Sequence, residues 1–192
     1  MTAQQGEPEG GAIPAATPSG GSRLERTVAL VGMMGVGKST VGKKLAESLG
    51  APFVDSDDEI VRAAGLSVQE IFERHGEPEF RRGERRVIER LVNGPAIVLA
   101  TGGGAFMDAG TRALLKEKAT TVWLRAELDV IWKRVNRRDT RPLLKRENPK
   151  QVLADLAAAR APVYAEADIV IESGDAPASE AVKAIREKLG FR

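Results

Sequence analysis

The chain has 192 residues, no cysteine and a single histidine, His75, which excludes a disulfide scaffold, a thiolate nucleophile, a Cys-based zinc site and a two-His metal site. Its 29 Lys and Arg against 27 Asp and Glu give a net +2, which argues against a general nucleic-acid binder and leaves local clusters for small anions. That length suits one domain with a substantial core. No apolar run approaches the roughly 20 residues needed to cross a bilayer, so a reducing cytoplasm and no membrane partner are expected.

Residues 1–25, MTAQQGEPEGGAIPAATPSGGSRLE, are rich in Gly, Pro, Ala and Ser with little to bury, and are expected to form a disordered tail. They have neither the apolar stretch of a secretory signal nor the Arg-rich character of a transit peptide. The patterned chain runs over 26–192. TVALVG (Thr27–Gly32) reads as a buried strand, followed by a Gly-rich turn and a helix carrying Val41, Leu45 and Leu49 that ends near Gly50. PFVDSD is a second strand, and DDEIVRAAG a helix closed by Gly65. Ser67–Glu70, SVQE, has capping-box spacing and starts another helix. AIVLATGGG is a third strand running into three glycines, and a fourth lies at Thr121–Leu124. LDVIWKRVNRR is an amphipathic helix leading into a polar, basic segment. A further helix precedes Pro162, and DIVIE (Asp168–Glu172) is a fifth strand before a last helix. Such alternation predicts an α/β fold in three layers, a central five-stranded parallel sheet with helices on both faces. Ligands in these folds gather at the carboxyl ends of the strands.

The first strand end carries GMMGVGKSTVG (Gly32–Gly42), which contains Gly-x-x-x-x-Gly-Lys-Ser between a strand and a helix. Its glycines let backbone N–H groups wrap phosphate oxygens at the positive end of the helix. Lys38 is placed to reach the β- and γ-phosphates and Ser39 to ligate magnesium. The motif fixes nucleotide binding and is silent about the acceptor. The second strand end is DSDD (Asp55–Asp58). Acids at a helix start serve its cap and dipole, which accounts for Asp58 and Glu59. Asp55 and Asp57 follow directly on the strand, so Asp55 can hold the water shell of magnesium and Asp57 can accept the proton of an attacking hydroxyl.

In EFRRGERRVIERL (Glu79–Leu91), helical spacing puts Phe80, Val87, Ile88 and Leu91 on one apolar stripe, with Arg82, Arg86 and Glu89 opposite. Glu84 falls inside the stripe and needs a partner, for which Arg81, three residues earlier, is the nearest. An arginine oriented in this way suits bidentate capture of a carboxylate or phosphate; an ordinary surface ion pair is the competing reading. Gly102–Gly104 allow close backbone approach to a ligand. The basic stretch with Arg134, Arg137, Arg138 and Arg141 is either a solvated surface or a lid that brings cations over a triphosphate. His75 reads as a partly buried or capping residue, and Arg160 has no signal of its own.

Taken in order, GMMGVGKSTVG, FVDSDDEI, SVQEIFERHGEPEFRRGE, ATGGG, TRPLL and RAPVY span nearly everything from Thr27 to Tyr164. With Phe-Arg-x-x-Glu and Gly-Gly-Gly, this set resembles the shikimate kinase family, small relatives of the nucleoside monophosphate kinases. The resemblance implies a P-loop kinase fold with a mobile lid at about 134–148. It also implies transfer of the ATP γ-phosphate to the 3-hydroxyl of shikimate, a step toward chorismate and the aromatic amino acids, with Mg2+ as cofactor. Carried over by motif, Gly35, Val36, Gly37, Lys38, Ser39 and Thr40 would bind ATP with Arg134 and Arg141, Arg134 lying against adenine and Arg141 neutralising transferring charge. Asp57 would orient or deprotonate the acceptor. Arg81 and Arg160 would clamp the substrate carboxylate with N–H groups of Gly102, Gly103 and Gly104, and Glu84 would steady Arg81. Ser39 and, through water, Asp55 would hold the metal. The adenine contacts would come from near Gly174–Pro177. A monomer acting on shikimate and ATP is expected, and gluconate, which also pairs hydroxyls with a carboxylate, is the competing acceptor.

Overall fold

The computed structural model describes residues 24–136 and 148–191. Among these, five parallel strands, β1 (Thr27–Val31), β2 (Phe53–Asp55), β3 (Val98–Ala100), β4 (Ala119–Arg125) and β5 (Ile169–Glu172), form one sheet in the spatial order β2-β3-β1-β4-β5. β1 is buried along its whole length, as a central strand covered on both faces must be. Its residues alternate between two cores. Ala29 and Val31 face a core with Ile88, Leu99 and Leu115, whereas Val28 and Leu30 face one with Val41, Leu45 and Ile185. Helices α1 (Lys38–Leu49) and α7 (Ala178–Lys188) supply the second core. α3 (Val68–Val92), α4 (Ala109–Lys118), α5 (Leu128–Asn136) and α6 (Pro149–Tyr164) supply the first, and α2 (Ser56–Ala64) adds Ile60 to it. The result is the expected three-layer sandwich.

Register brings the functional strand ends to one level. Ala100 of β3 is the partner of both Leu30 in β1 and Asp55 in β2. The chain segments that follow, the Gly-rich turn, the start of α2 and the Gly102–Gly104 run, therefore leave the sheet side by side.

Several boundaries differ from the sequence reading. β2 stops at Asp55, because the Asp55 side chain turns back to accept from Asp57 N at 3.1 Å and so caps α2. Ser56 and Asp57 are thus helical. The capping box at Ser67 and Glu70 is present, but its helix joins the Phe80–Leu91 stripe through a break at Gly76 (φ 77, ψ 171), with Pro78 just beyond it. α4, which the sequence reading missed, starts where Asp108 accepts from Thr111 N at 2.8 Å. α6 runs through Pro162 to Tyr164. That proline removes one hydrogen bond from the last turn, while the Tyr164 ring anchors the turn by stacking on Trp123 and Phe106 at centroid distances of 5.8 and 6.5 Å. The segment expected as a lid, 134–148, opens inside α5, where Val135 is fully buried. It closes on Asn148, the residue that precedes α6. Arg137, Arg138 and Arg141 lie outside the described residues.

Candidate active site

The phosphate loop is held from several sides. Gly32 has φ 133 and no room for a side chain, since a Cβ would stand 2.5 Å from the Leu124 carbonyl oxygen. Lys38 Nζ donates to the carbonyls of Gly32 and Met33 at 2.8 and 2.9 Å, drawing the lysine across its own loop. The Val36 carbonyl accepts from Ser173 Oγ at 3.1 Å and from Arg134 Nη1 at 3.0 Å. Arg134 Nη2 also donates to Gly174 O at 2.6 Å, so this arginine ties the phosphate loop to the segment after β5.

Ser39 and Asp55 meet across the loop mouth, Ser39 Oγ donating to Asp55 Oδ2 at 2.7 Å. A hydroxyl and a carboxylate are the hard oxygen ligands that magnesium takes, and among the described residues no group of three or more acids or histidines forms a cage. The pair therefore fits an ion that keeps most of its shell as waters and phosphate oxygens. Asp58 and Glu59 stand in the first turn of α2, as expected of acids that complement its dipole, but the cap itself is Asp55. Glu59 is buried and pairs with Arg62 and, at 2.6 Å, with Arg90 of α3, while Asp58 is exposed.

The opposite end of the cleft is built on α3. Arg81 Nη1 donates to Glu84 Oε2 at 2.6 Å, and Arg81 Nη2 to Glu77 Oε1 at 3.2 Å. Glu84 is only 1 % exposed, so this is not the surface ion pair that the sequence left open. Its other oxygen, Oε1, has no hydrogen-bond partner among the described residues. Burial pushes the Glu84 carboxyl above the usual range; Arg81 pulls it back, and the nearby Asp57 pushes it up again. Asp57 is also raised, first by burial and then by Asp55, against the pull of Lys38 and Arg81. A carboxyl poised in this way between a lysine and an arginine can hold or accept a proton from a hydroxyl.

Gly102–Gly104 lie between these groups, and none of the three has positive φ. Space, not backbone conformation, requires them. A Cβ on Gly102 would stand 2.7 Å from Asp57 Oδ1 and 2.8 Å from Glu84 Oε1, and one on Gly104 would stand 2.8 Å from Arg81 Cζ. The Gly102 N–H, expected on the substrate, donates to Ser56 Oγ at 3.1 Å. The N–H groups of Gly103 and Gly104 have no partner among the described residues. Arg160 Nη1, from α6, reaches the Gly103 carbonyl at 3.0 Å.

A continuous cleft of about 2180 Å³ joins both ends. Its walls include the phosphate loop from Gly35 to Thr40, Asp55, Asp57, Arg81, Glu84, Gly102–Gly104, Arg134 and Arg160, together with Gly174 and Pro177. Every described residue to which the family resemblance gave a role thus faces one space, whereas His75 is exposed on α3 rather than buried or capping. Arg141 lies outside the described residues. Sequence reasoning missed Ser56, Ser173 and Tyr164. Ser56 and Ser173 carried no signal. Tyr164 closes the RAPVY motif, but the helix end expected before Pro162 hid its i, i+4 relation to Arg160.

The sequence matches the family described as shikimate kinase over residues 34–190. It is 56% identical over 160 residues to a shikimate kinase of Caulobacter vibrioides, covering 83% of this chain and 80% of that protein. A shikimate kinase of Rhodopseudomonas palustris is 58% identical over 153 residues, covering 80% of this chain and 75% of its own. Among solved structures, the shikimate kinase from Acinetobacter baumannii in complex with shikimate superposes with a TM-score of 0.81 at 43% identity, over 86% of this chain and 93% of that one. Sequence and fold agree over most of the length: the chain belongs to the shikimate kinase family.

Proposed function

We propose that residues 26–192 form the catalytic unit that transfers the γ-phosphate of ATP to the 3-hydroxyl of shikimate, giving shikimate 3-phosphate and ADP on the way to chorismate. The observation that carries this reading is the layout of the cleft: a phosphate loop at one end, two arginines from different helices at the other, and Asp57 between them. Phosphoryl transfer asks a protein for positioning and charge neutralisation more than for covalent chemistry. Arg81 and Arg160 grip the substrate carboxylate, and the Gly103 and Gly104 N–H groups add donors to it. With that end fixed, the ring hydroxyl faces Asp57, which orients it and takes its proton as the oxygen attacks phosphorus.

Lys38 leaves the Gly32 and Met33 carbonyls for the β- and γ-phosphate oxygens, which are the stronger acceptors. Where magnesium accompanies ATP, Ser39 Oγ and, through water, Asp55 are the groups to hold it, and the ion neutralises charge on the phosphates. Arg134 lies along the adenine side of the cleft, and Arg141 is the candidate to meet charge on the transferring group. The scheme calls on residues of one chain, so a monomer suffices for it, and we assign action as a monomer. No helix of the described residues is long and apolar enough to cross a membrane, and we assign the chain to the cytoplasm. An ADP-release assay with shikimate and gluconate in parallel tests the reading: turnover with shikimate alone is expected, and turnover with gluconate alone would replace it.

A further inference from the structure

Tyr164 is the chain's only tyrosine and is 1 % exposed, yet the scheme above gives it no part. Its hydroxyl donates to Gly103 O at 2.5 Å, the same oxygen that accepts from Arg160 Nη1 at 3.0 Å. Both lone pairs of that carbonyl are therefore filled from α6. The peptide bond from Gly103 to Gly104 is trans, so its N–H points opposite to its C=O. Fixing the Gly103 carbonyl against α6 thus fixes the Gly104 N–H in the direction away from α6. Gly104 itself is pressed against the Arg81 guanidinium. The preceding peptides are pinned as well: the Gly102 N–H on Ser56 Oγ, and the Gly102 carbonyl by Ala105 N–H at 3.1 Å.

We propose that the Tyr164 hydroxyl is a positioning group which, by holding the Gly103 carbonyl, aims the Gly104 N–H away from α6, at the Arg81 side of the substrate carboxylate. The inference rests on the carboxylate clamp proposed above. If the 103–104 peptide turned over, it would present an oxygen to the carboxylate where an N–H should be, exchanging attraction for repulsion. The loss would then fall on acid binding and leave the nucleotide untouched. The Tyr164 ring has a separate packing role on Trp123 and Phe106, and phenylalanine would keep it.

The test compares the full chain with Tyr164→Phe, measuring ADP release with shikimate and with its descarboxy analogue, the same ring bearing hydrogen in place of the carboxylate. KM for shikimate should rise about tenfold, the worth of one hydrogen bond to a charged group, with KM for ATP unchanged. The preference for acid over analogue should shrink by the same factor. An unchanged shikimate KM, an equal loss on acid and analogue, or an equal rise for ATP would overturn the proposal and leave the clamp standing. If the unsubstituted chain itself fails to prefer the acid, the clamp falls first and the role of Tyr164 falls with it.

Discussion

Arg81→Ala removes a group that serves two masters, the substrate and Glu84. Glu84 is 1 % exposed, its Oε1 has no partner among the described residues, and Arg81 is the group that donates to its Oε2. Truncating Arg81 leaves a buried carboxylate with neither oxygen paired by that arginine. Breaking a buried ion pair from one side costs about 3–5 kcal/mol. Here Glu84 can protonate, which its raised pKa already favours, so the lower end is expected. Independently, losing a desolvated guanidinium from the carboxylate clamp should weaken shikimate binding by about 2–5 kcal/mol, or roughly 30-fold to several thousand-fold. The two losses separate in the double variant Arg81→Ala/Glu84→Gln, where no charge is left buried. Thermal unfolding should recover most of the stability, while ADP-release kinetics should show KM for shikimate still raised and KM for ATP unchanged throughout. Recovery of shikimate affinity together with stability would mean that Arg81 only supports α3, and the clamp would be refuted.

Asp57→Asn should lower kcat by roughly 10²–10⁴, as loss of a general base does; a near-normal kcat would reduce Asp57 to a binding group. The same variant should unfold at higher temperature when no substrate is added. Asp57 has its pKa raised in the folded chain, so its stabilising contribution is complete below the ordinary aspartate value of about 3.9 and is lost as pH rises through the raised one. The stability advantage of Asn should therefore grow with pH over that window, and a gap independent of pH would contradict the assignment. Gly104→Ala places a methyl 2.8 Å from Arg81 Cζ and should raise KM for shikimate without touching KM for ATP; equal effects on both would point to a general distortion. Deleting Met1–Ser22 should leave kcat and both KM values as they are, since the groups assigned to the reaction all lie beyond it, and a large drop would give that segment a catalytic part.

What the sequence disclosed follows from how local each signal is. The strand–turn–helix of the phosphate loop is written in consecutive residues, and so is the capping box at Ser67 and Glu70. The stripe on α3 was legible because helical periodicity put Glu84 among apolar neighbours, and a carboxylate in that position predicts its own partner. α4 was not legible, since Gly110 in its first turn weakens the helical pattern, and the space it occupies is set by Arg85 of α3, whose guanidinium packs against that glycine. Pro162 suggested an end to α6 that the buried Tyr164 overrides. Arg134 looked like part of a basic loop, and only the chain's return after β5 brings Gly174 within reach of it. The use of the Gly102 N–H was equally hidden, because its acceptor, Ser56, is 46 residues away in sequence and meets it through strand register alone.

A crystal structure of the chain with shikimate, ADP and magnesium would decide this geometry. The shikimate carboxylate should lie between the guanidinium groups of Arg81 and Arg160, with the 3-hydroxyl within hydrogen-bond reach of Asp57 and turned toward the phosphate loop. Shikimate bound with its carboxylate away from both arginines, or with the 3-hydroxyl remote from Asp57, would contradict it.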